Sequence, residues 1–245
     1  MICSAMGAGV DGICFTDHLD IDYTPSPNEF RLDIPGYFAE LNALQGQFSG
    51  EFPVCIGIEI GLQPHLAQTL PQIINSYPFD FVIGSSHLVH RRDPYFPDYY
   101  EGRTEEEAYR EYFTSILENL AAFDCFDVYG HIDYVVRYGP NKNQNYSYGK
   151  YADILDNILR TLIHKGKGIE INTGGFKYGL GHPNPTEGAL KRYRELGGEI
   201  ITIGADAHKP EHVAYEFCKV PEILKNAGFS YYTVFKGRKP TFHKL

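Results

Sequence analysis

The sequence lacks the features that mark several large classes of protein. Its five cysteines are scattered and form no C-x-x-C pair, which argues against a disulfide framework or a structural zinc site. No apolar run approaches the roughly 18 residues of a membrane helix, and residues 1–11 do not resemble a signal peptide. We therefore expect a cytoplasmic protein that has no membrane partner.

Basic surfaces and nucleotide motifs are also missing. The net charge is −9 and no stretch is rich in Lys and Arg, so we expect no binding to nucleic acid through a basic face. Neither G-x-G-x-x-G nor G-x-x-x-x-G-K-[ST] occurs, which disfavours a doubly wound sheet that cradles a nucleotide. An anionic small substrate would need metal ions or a few arginines to supply positive charge.

Strands and helices alternate along the whole chain. This alternation predicts right-handed parallel units, and seven such units favour a barrel over an open sheet. A length of 245 residues with 43% hydrophobic content suits one α/β domain over residues 1–245. The predicted strands are Gly12–His18, Val54–Ile60, Phe81–His87, Val128–Asp133, Gly168–Asn172, Ile200–Gly204 and Tyr231–Phe235.

The stretch Ile200–His208 (I-I-T-I-G-A-D-A-H) shows the chemistry of the strand ends. Asp206 and His208 are two residues apart, so in an extended chain both would point to the same side and could hold one metal ion. The alternative is that both residues only cap the next helix. Taken alone, the two interpretations have about equal weight.

The same pattern of an apolar strand followed by a metal-capable side chain recurs along the chain. Because the carboxyl ends of barrel strands share one face, these side chains are expected to converge. A single histidine at a strand end is more often structural, but a buried carboxylate such as Glu59 needs a partner. Imidazoles and carboxylates without thiolates favour Zn, Mn or Fe. The side chains are Asp17, His18, Glu59, His87, His131, Asp133, Asp206 and His208.

Five ordered motifs resemble those of the PHP family, and within it most those of the monofunctional histidinol-phosphatases. They are T-D-H at 16–18, G-I-E at 57–59, G-S-S-H at 84–87, G-H-I-D at 130–133 and G-A-D-A-H at 204–208. The resemblance covers essentially the whole chain. It implies a distorted (β/α)7 barrel with up to three divalent metal ions. It also implies hydrolysis of L-histidinol phosphate to L-histidinol and phosphate in histidine biosynthesis.

The resemblance also implies a set of metal ligands. Glu59 would bridge two ions, and His87 and His131 would complete the second. His18 and His208 would serve the third ion, and Asp206 would help to hold the first. Asp17 is either a further ligand or a residue that orients His18.

One departure from the family concerns its first strand, which carries H-x-H and two ligands of the first metal ion. No H-x-H occurs among the ten histidines of this chain. We therefore expect the first strand to be absent, the domain to be truncated at its N-terminus and the first metal site to be incomplete. Either the coding sequence extends upstream of Met1, which we favour, or the protein is a shortened version.

Phosphate also needs donors outside the metal cluster, and the planar fork of arginine suits it. Arg91, Arg92 and Arg103 lie in the loop after the third strand, and Arg137 follows G-H-I-D. We favour Arg103 and Arg137, with His182 as a weaker candidate for substrate binding. A loop arginine is more often simply solvated.

The leaving alkoxide needs a proton, which Asp17 or a strand-end histidine such as His18 or His208 could supply. The sequence does not decide between them. Two other functions remain open: a PHP phosphoesterase that acts on nucleotides, and a catalytically impaired PHP-fold protein, which the missing H-x-H motivates.

Overall fold

Parallel strands form the centre of the molecule, whose computed structural model describes residues 1–26 and 29–245. Strands β1 and β2 both pair with β3, and β3 to β7 follow one another across the sheet, every pair parallel. This curled parallel sheet with its helices confirms the predicted distorted (β/α) barrel class. The strands are β1 (Ile13–Phe15), β2 (His18–Leu19), β3 (Val54–Gly61), β4 (Phe81–Ser85), β5 (Val128–Tyr129), β6 (Gly168–Asn172) and β7 (Ile201–Gly204).

Helices connect and cover these strands. None of those in the described part of the chain is both long enough and apolar enough to cross a membrane. They are α1 (Ile2–Gly7), α2 (Ile34–Gln47), α3 (Thr69–Asn75), α4 (Glu105–Ala122), α5 (Ala152–His164), α6 (Gly174–Lys177), α7 (Glu187–Glu195) and α8 (Val220–Asn226).

The burial pattern explains why these segments take these forms. Strand β3 is buried along almost its whole length, as expected for a parallel strand that is covered on both faces. Helix α5 buries Leu155, Ile158, Leu159 and Leu162, a spacing of three and four residues that places one apolar stripe on the sheet.

Thr104 followed three residues later by Glu107 predicts a capping box, and the start of α4 confirms it. Thr104 Oγ1 accepts a hydrogen bond from Glu107 N at 3.3 Å, and Glu107 Oε2 accepts one from Thr104 N at 2.8 Å. Two otherwise unpaired backbone donors at the helix start are thereby satisfied.

The sequence predicts a helix over Glu211–Ala227, and this prediction is wrong. Short 3₁₀ turns precede α8, which begins only at Val220. Ala214 and Glu216 have φ values of 54° and 57°, in the left-handed region that a right-handed helix excludes. Pro221 lies in the first turn of α8. Backbone N–H groups there have no acceptor within the helix, so a proline, which has no N–H, fits this position.

The last predicted strand forms, but it does not join the parallel sheet. Strand β8 (Tyr231–Lys236) pairs antiparallel with β9 (Lys239–Lys244), a strand that the sequence analysis did not predict. A tight turn at Gly237, with φ of 55°, joins the two strands. The hairpin packs beside β7, where Thr233 Oγ1 accepts a hydrogen bond from Ile201 N at 3.2 Å.

The first predicted strand is interrupted. The residues between β1 and β2 are not paired in the ladder with β3. The carbonyl of Asp17 still accepts a hydrogen bond from Glu59 N, at 3.1 Å. The curl of the sheet brings side chains from its two edges together at their carboxyl ends. There His18 Nε2, on β2, lies 3.3 Å from Nε2 of His208, which follows β7.

Candidate metal centre

Three predicted ligands meet inside the carboxyl end of the sheet. Glu59 Oε1 lies 3.0 Å from His131 Nε2 and 3.1 Å from His87 Nε2. All three side chains are buried. Burial opposes ionisation of Glu59, but the charge of His18 and hydrogen bonds from His131 and His87 outweigh it and hold its pKa well below the ordinary value. Glu59 is therefore a carboxylate whose oxygen faces two imidazole nitrogens.

A second group joins the two edges of the sheet. His18, Asp206 and His208 each place a ligand atom within 4.8 Å of the others. The extended geometry that predicted this convergence is absent, because Asp206 has a φ of 52° in the left-handed region. A turn, rather than strand alternation, directs these side chains. Asp206 and His208 both approach the imidazole of His18, and their assignment to different ions, which the resemblance implies, stays a prediction.

Asp20 is a site residue that the sequence analysis missed. Its Oδ1 accepts a hydrogen bond from His87 Nδ1 at 2.8 Å, and its Oδ2 lies 3.7 Å from His18 Nδ1. Burial lowers the pKa of His87, but the charge and hydrogen bond of Asp20 outweigh it and raise that pKa well above its ordinary value. The two-residue spacing of His18 and Asp20, the same as that of Asp206 and His208, was an available signal.

Replacing Asp20 by Asn should weaken zinc binding about 10- to 100-fold, because His87 would lose the carboxylate that fixes its ring orientation and increases its basicity. Competition with a chelator of known zinc affinity measures the effect. Asp93→Asn is a matched control, since Asp93 is buried at the same cavity but accepts its hydrogen bonds from Tyr23 and Tyr95. Equal zinc affinity in Asp20→Asn and the unsubstituted protein would contradict this role.

A cavity of about 280 Å³ opens above the two groups. Tyr95 and Phe96 form part of its wall, whereas Tyr99 and Tyr100 pack into the core. Residues 95–100 therefore both line the cavity and pack the loop against the core. Further aromatic side chains come from other loops. The lining includes His18, Asp20, Tyr23, Glu29, Phe30, His87, Asp93, His131, Tyr134, Arg137, Tyr138, Tyr178, Asp206 and His208.

The two favoured arginines lie in different places. Arg137 lines the cavity and donates to Asp206 Oδ2. Arg103 lies away from the cavity. It donates from Nε to Tyr99 O at 2.7 Å and forms an ion pair with Glu111. Its Cζ lies 4.2 Å from the centroid of the Tyr99 ring. The structure therefore brings only Arg137 to the candidate site.

Two further predicted residues are not brought to the cavity. His182 donates from Nδ1 to Pro183 O at 2.7 Å, in the loop after α6. The Asp17 side chain is exposed between β1 and β2 and contributes to none of the metal-capable groups found among the described residues. An alternating strand would have turned Asp17 and His18 to opposite faces in any case.

Glu170 is a second buried carboxylate that the sequence analysis missed, although it stands in the apolar strand G-I-E-I-N in the same way as Glu59. It accepts hydrogen bonds from Asn172 Nδ2 at 2.9 Å and from His131 N at 3.3 Å. Burial, reinforced by the charge of Glu59, raises the pKa of Glu170 to about 7. The two carboxyls therefore differ in charge state near neutrality.

This difference predicts a pH dependence of stability. Since the folded pKa of about 7 exceeds the ordinary 4.5, the stabilisation from protonated Glu170 is complete below about pH 4.5 and is lost as pH rises through 7. Relative to the unsubstituted protein, metal-free Glu170→Gln should gain about 2 kcal/mol in unfolding free energy between roughly pH 5 and pH 8.

Urea unfolding in the presence of a chelator measures this difference. Glu51→Gln, which removes one carboxylate at an exposed turn, is the control. Parallel stability curves for Glu170→Gln and the unsubstituted protein would show that Glu170 does not titrate in this range.

Comparison with known proteins agrees with this geometry. Residues 1–174 match the PHP domain family. The chain belongs to this family. It is 35% identical over 242 residues to the histidinol-phosphatase of Lactococcus lactis subsp. lactis, covering 97% of this chain and 88% of that protein. It is 32% identical over 218 residues to a probable histidinol-phosphatase of Clostridium acetobutylicum, covering 88% and 82%.

Solved structures of PHP proteins show the same fold. The histidinol phosphate phosphatase of Lactococcus lactis, complexed with zinc, L-histidinol and phosphate, superposes with a TM-score of 0.91 at 34% identity over 98% of this chain and 90% of that chain. A histidinol phosphatase described as putative, from Listeria monocytogenes, superposes with a TM-score of 0.77 at 17% identity, covering 89% and 92%, which supports the fold alone.

The side chains at this site fit divalent metal ions. Three groups of metal-capable side chains occur among the described residues, each with its ligand atoms within 4.8 Å of one another. His18 Nδ1 and His131 Nδ1 are buried and have no hydrogen-bond partner in the described part of the chain. Imidazole and carboxylate donors without thiolates suit zinc, manganese or iron. The groups are His18, Asp206 and His208; His18, Asp20 and His87; and Glu59, His87 and His131.

Proposed function

We propose that this protein is a histidinol-phosphatase, a metal-dependent phosphomonoesterase that hydrolyses L-histidinol phosphate to L-histidinol and phosphate. The observation that carries the proposal is the match, at 34% identity and a TM-score of 0.91, to a structure that contains zinc, L-histidinol and phosphate. The cavity over the metal-capable groups, with Arg137 and several tyrosines in its wall, supports it.

In this proposal two of the three groups described above hold metal ions. Glu59, His87 and His131 would hold one ion in the buried part of the site, and His18, Asp206 and His208 would hold another at the cavity rim. When bound, divalent ions supply positive charge to phosphoryl oxygens and lower the pKa of water. The chain's own task is to hold the carboxylates ionised and the imidazoles at fixed positions, and metal binding then requires the imidazoles to be neutral.

Arg137 would bind phosphoryl oxygens. Its guanidinium is buried, lines the cavity and keeps its charge at every accessible pH. We do not assign this role to Arg103, because its donors are engaged by Glu111 and Tyr99. We assign protonation of the leaving oxygen neither to Asp17, whose side chain lies outside the cavity, nor to His208, whose imidazole holds an ion in this proposal.

A phosphate-release assay on the zinc- or manganese-loaded protein tests the proposal. L-Histidinol phosphate should be hydrolysed with a kcat/KM at least about 100-fold above that of nucleoside monophosphates, because the aromatic cavity is matched to one leaving group. Activity confined to nucleotides would instead assign the protein to another PHP phosphoesterase, and bound metal without turnover on either class would indicate an impaired protein.

A further inference from the structure

Two neutral asparagines hold the buried guanidinium of Arg137. Arg137 Nε donates to Asn184 Oδ1 at 2.8 Å, and its Nη2 donates to Asn172 Oδ1 at 3.0 Å. All three residues are buried: Arg137 is 2% exposed, Asn184 0% and Asn172 2%. A buried arginine is usually paired with carboxylates on its fork, so amide partners on two of its three nitrogens need an explanation.

The two asparagines are also held to each other. Asn172 is the last residue of β6, Asn184 lies in the loop before α7, and each backbone N–H donates to the other's carbonyl at 2.8 Å. This reciprocal bridge fixes the separation of the two side-chain amides. Arg137 therefore docks between two supports whose positions are set by the backbone.

Each amide faces an acid as well as the arginine. Asn172 Nδ2 donates to Glu170 Oε2 at 2.9 Å, and Asn184 Nδ2 donates to Asp133 Oδ1 at 2.6 Å. An aspartate in either position could not donate to the neighbouring acid, and it would also cancel the charge of the guanidinium. Asparagine satisfies both neighbours and adds no further negative charge beside the guanidinium, whose Nη1 already donates to Asp206 Oδ2.

We propose that Asn172 and Asn184 are positioning residues that orient Arg137 and preserve its charge for the phosphate group of the substrate. The proposal rests on the proposed function in taking a phosphate monoester as substrate. Neither asparagine lines the cavity, so both act through Arg137 rather than on the substrate. Of the five N–H donors of Arg137, one goes to each asparagine and one to Asp206, which leaves two for the phosphate group.

Gly174 provides a way to disturb this arrangement without removing a polar group. A Cβ at this position would lie 2.7 Å from Asn172 Oδ1 and 3.1 Å from Arg137 Nη2. Both distances are shorter than ordinary van der Waals contact, so Gly174→Ala must displace the amide from the guanidinium.

The test measures the dissociation constant of inorganic phosphate with zinc-loaded protein, by calorimetry. Asn172→Ala should weaken phosphate binding about tenfold, and the loss in an Arg137→Lys background should be no more than about twofold, because a residue that acts through Arg137 has no effect once its fork is gone. Asn119→Ala is the matched control: Asn119 is a buried asparagine whose amide donates to Ser86 Oγ at 2.9 Å, and its loss should leave phosphate affinity unchanged.

Equal phosphate affinity in Asn172→Ala and the unsubstituted protein, or equal losses in both backgrounds, would overturn the proposal. If Asn172→Ala does not fold, as judged by circular dichroism, Gly174→Ala decides: weaker phosphate binding supports the proposal and unchanged binding overturns it. The phosphate measurement needs no turnover. Failure to hydrolyse L-histidinol phosphate would therefore reject the proposed function and leave this result standing.

Discussion

Replacing Glu59 by Gln is expected to reduce kcat for phosphate release about a thousandfold or more, together with loss of metal from the buried group. One oxygen of Glu59 lies 3.0 Å and 3.1 Å from the Nε2 atoms of His131 and His87. A glutamine keeps the shape of the side chain but removes the charge that balances a divalent ion. It could also turn an NH₂ group toward both imidazoles.

Glu170→Gln is the matched control, because Glu170 is a buried glutamate on β6 of the same sheet. At about pH 6, below its pKa of about 7, Glu170 is largely protonated, and glutamine resembles the neutral acid. Its metal content, measured by elemental analysis, and its kcat should stay within about threefold of those of the unsubstituted protein. Similar losses in both variants would mean that Glu59 has no special role in holding metal.

The strand ends explain why much of the site could be predicted from the sequence. Glu59 interrupts an apolar strand, and the carboxyl ends of parallel strands meet on one face, so position along the chain was enough to bring Glu59, His87 and His131 together. Asp20 was not predicted as a site residue because the first strand was predicted to end at His18. The structure resumes the strand at β2 and directs Asp20 back toward His87.

Other features depend on contacts that sequence spacing does not encode. The left-handed backbone of Asp206 was hidden in a stretch that looked extended. Asn184 reaches Arg137 only because its loop forms a reciprocal backbone bridge with Asn172, twelve positions earlier in the chain. Such pairings are set by the path of a long loop, which has no periodic pattern to predict them.

Arg103 and Arg137 were equivalent in the sequence, and their replacement by lysine should now have different effects. Arg137→Lys should lower kcat/KM on the order of 100-fold, mainly through KM, because an ammonium cannot reproduce two charged hydrogen bonds of the guanidinium fork. Arg103→Lys should leave kcat/KM within about twofold and lower thermal stability, since Arg103 bonds to Glu111 and Tyr99 O outside the cavity.

Steady-state kinetics on the metal-loaded proteins, with thermal unfolding measured in parallel, separates the two effects. The guanidinium of Arg137 is buried and its pKa is raised, because the charge of Asp206 outweighs the opposing effect of burial, so a change of pH cannot substitute for the mutation. If Arg137→Lys lowers stability but keeps the KM of the unsubstituted protein, Arg137 only ties Asp206 to the two asparagines. If Arg103→Lys raises KM as strongly as Arg137→Lys, then Arg103 reaches the substrate from its loop.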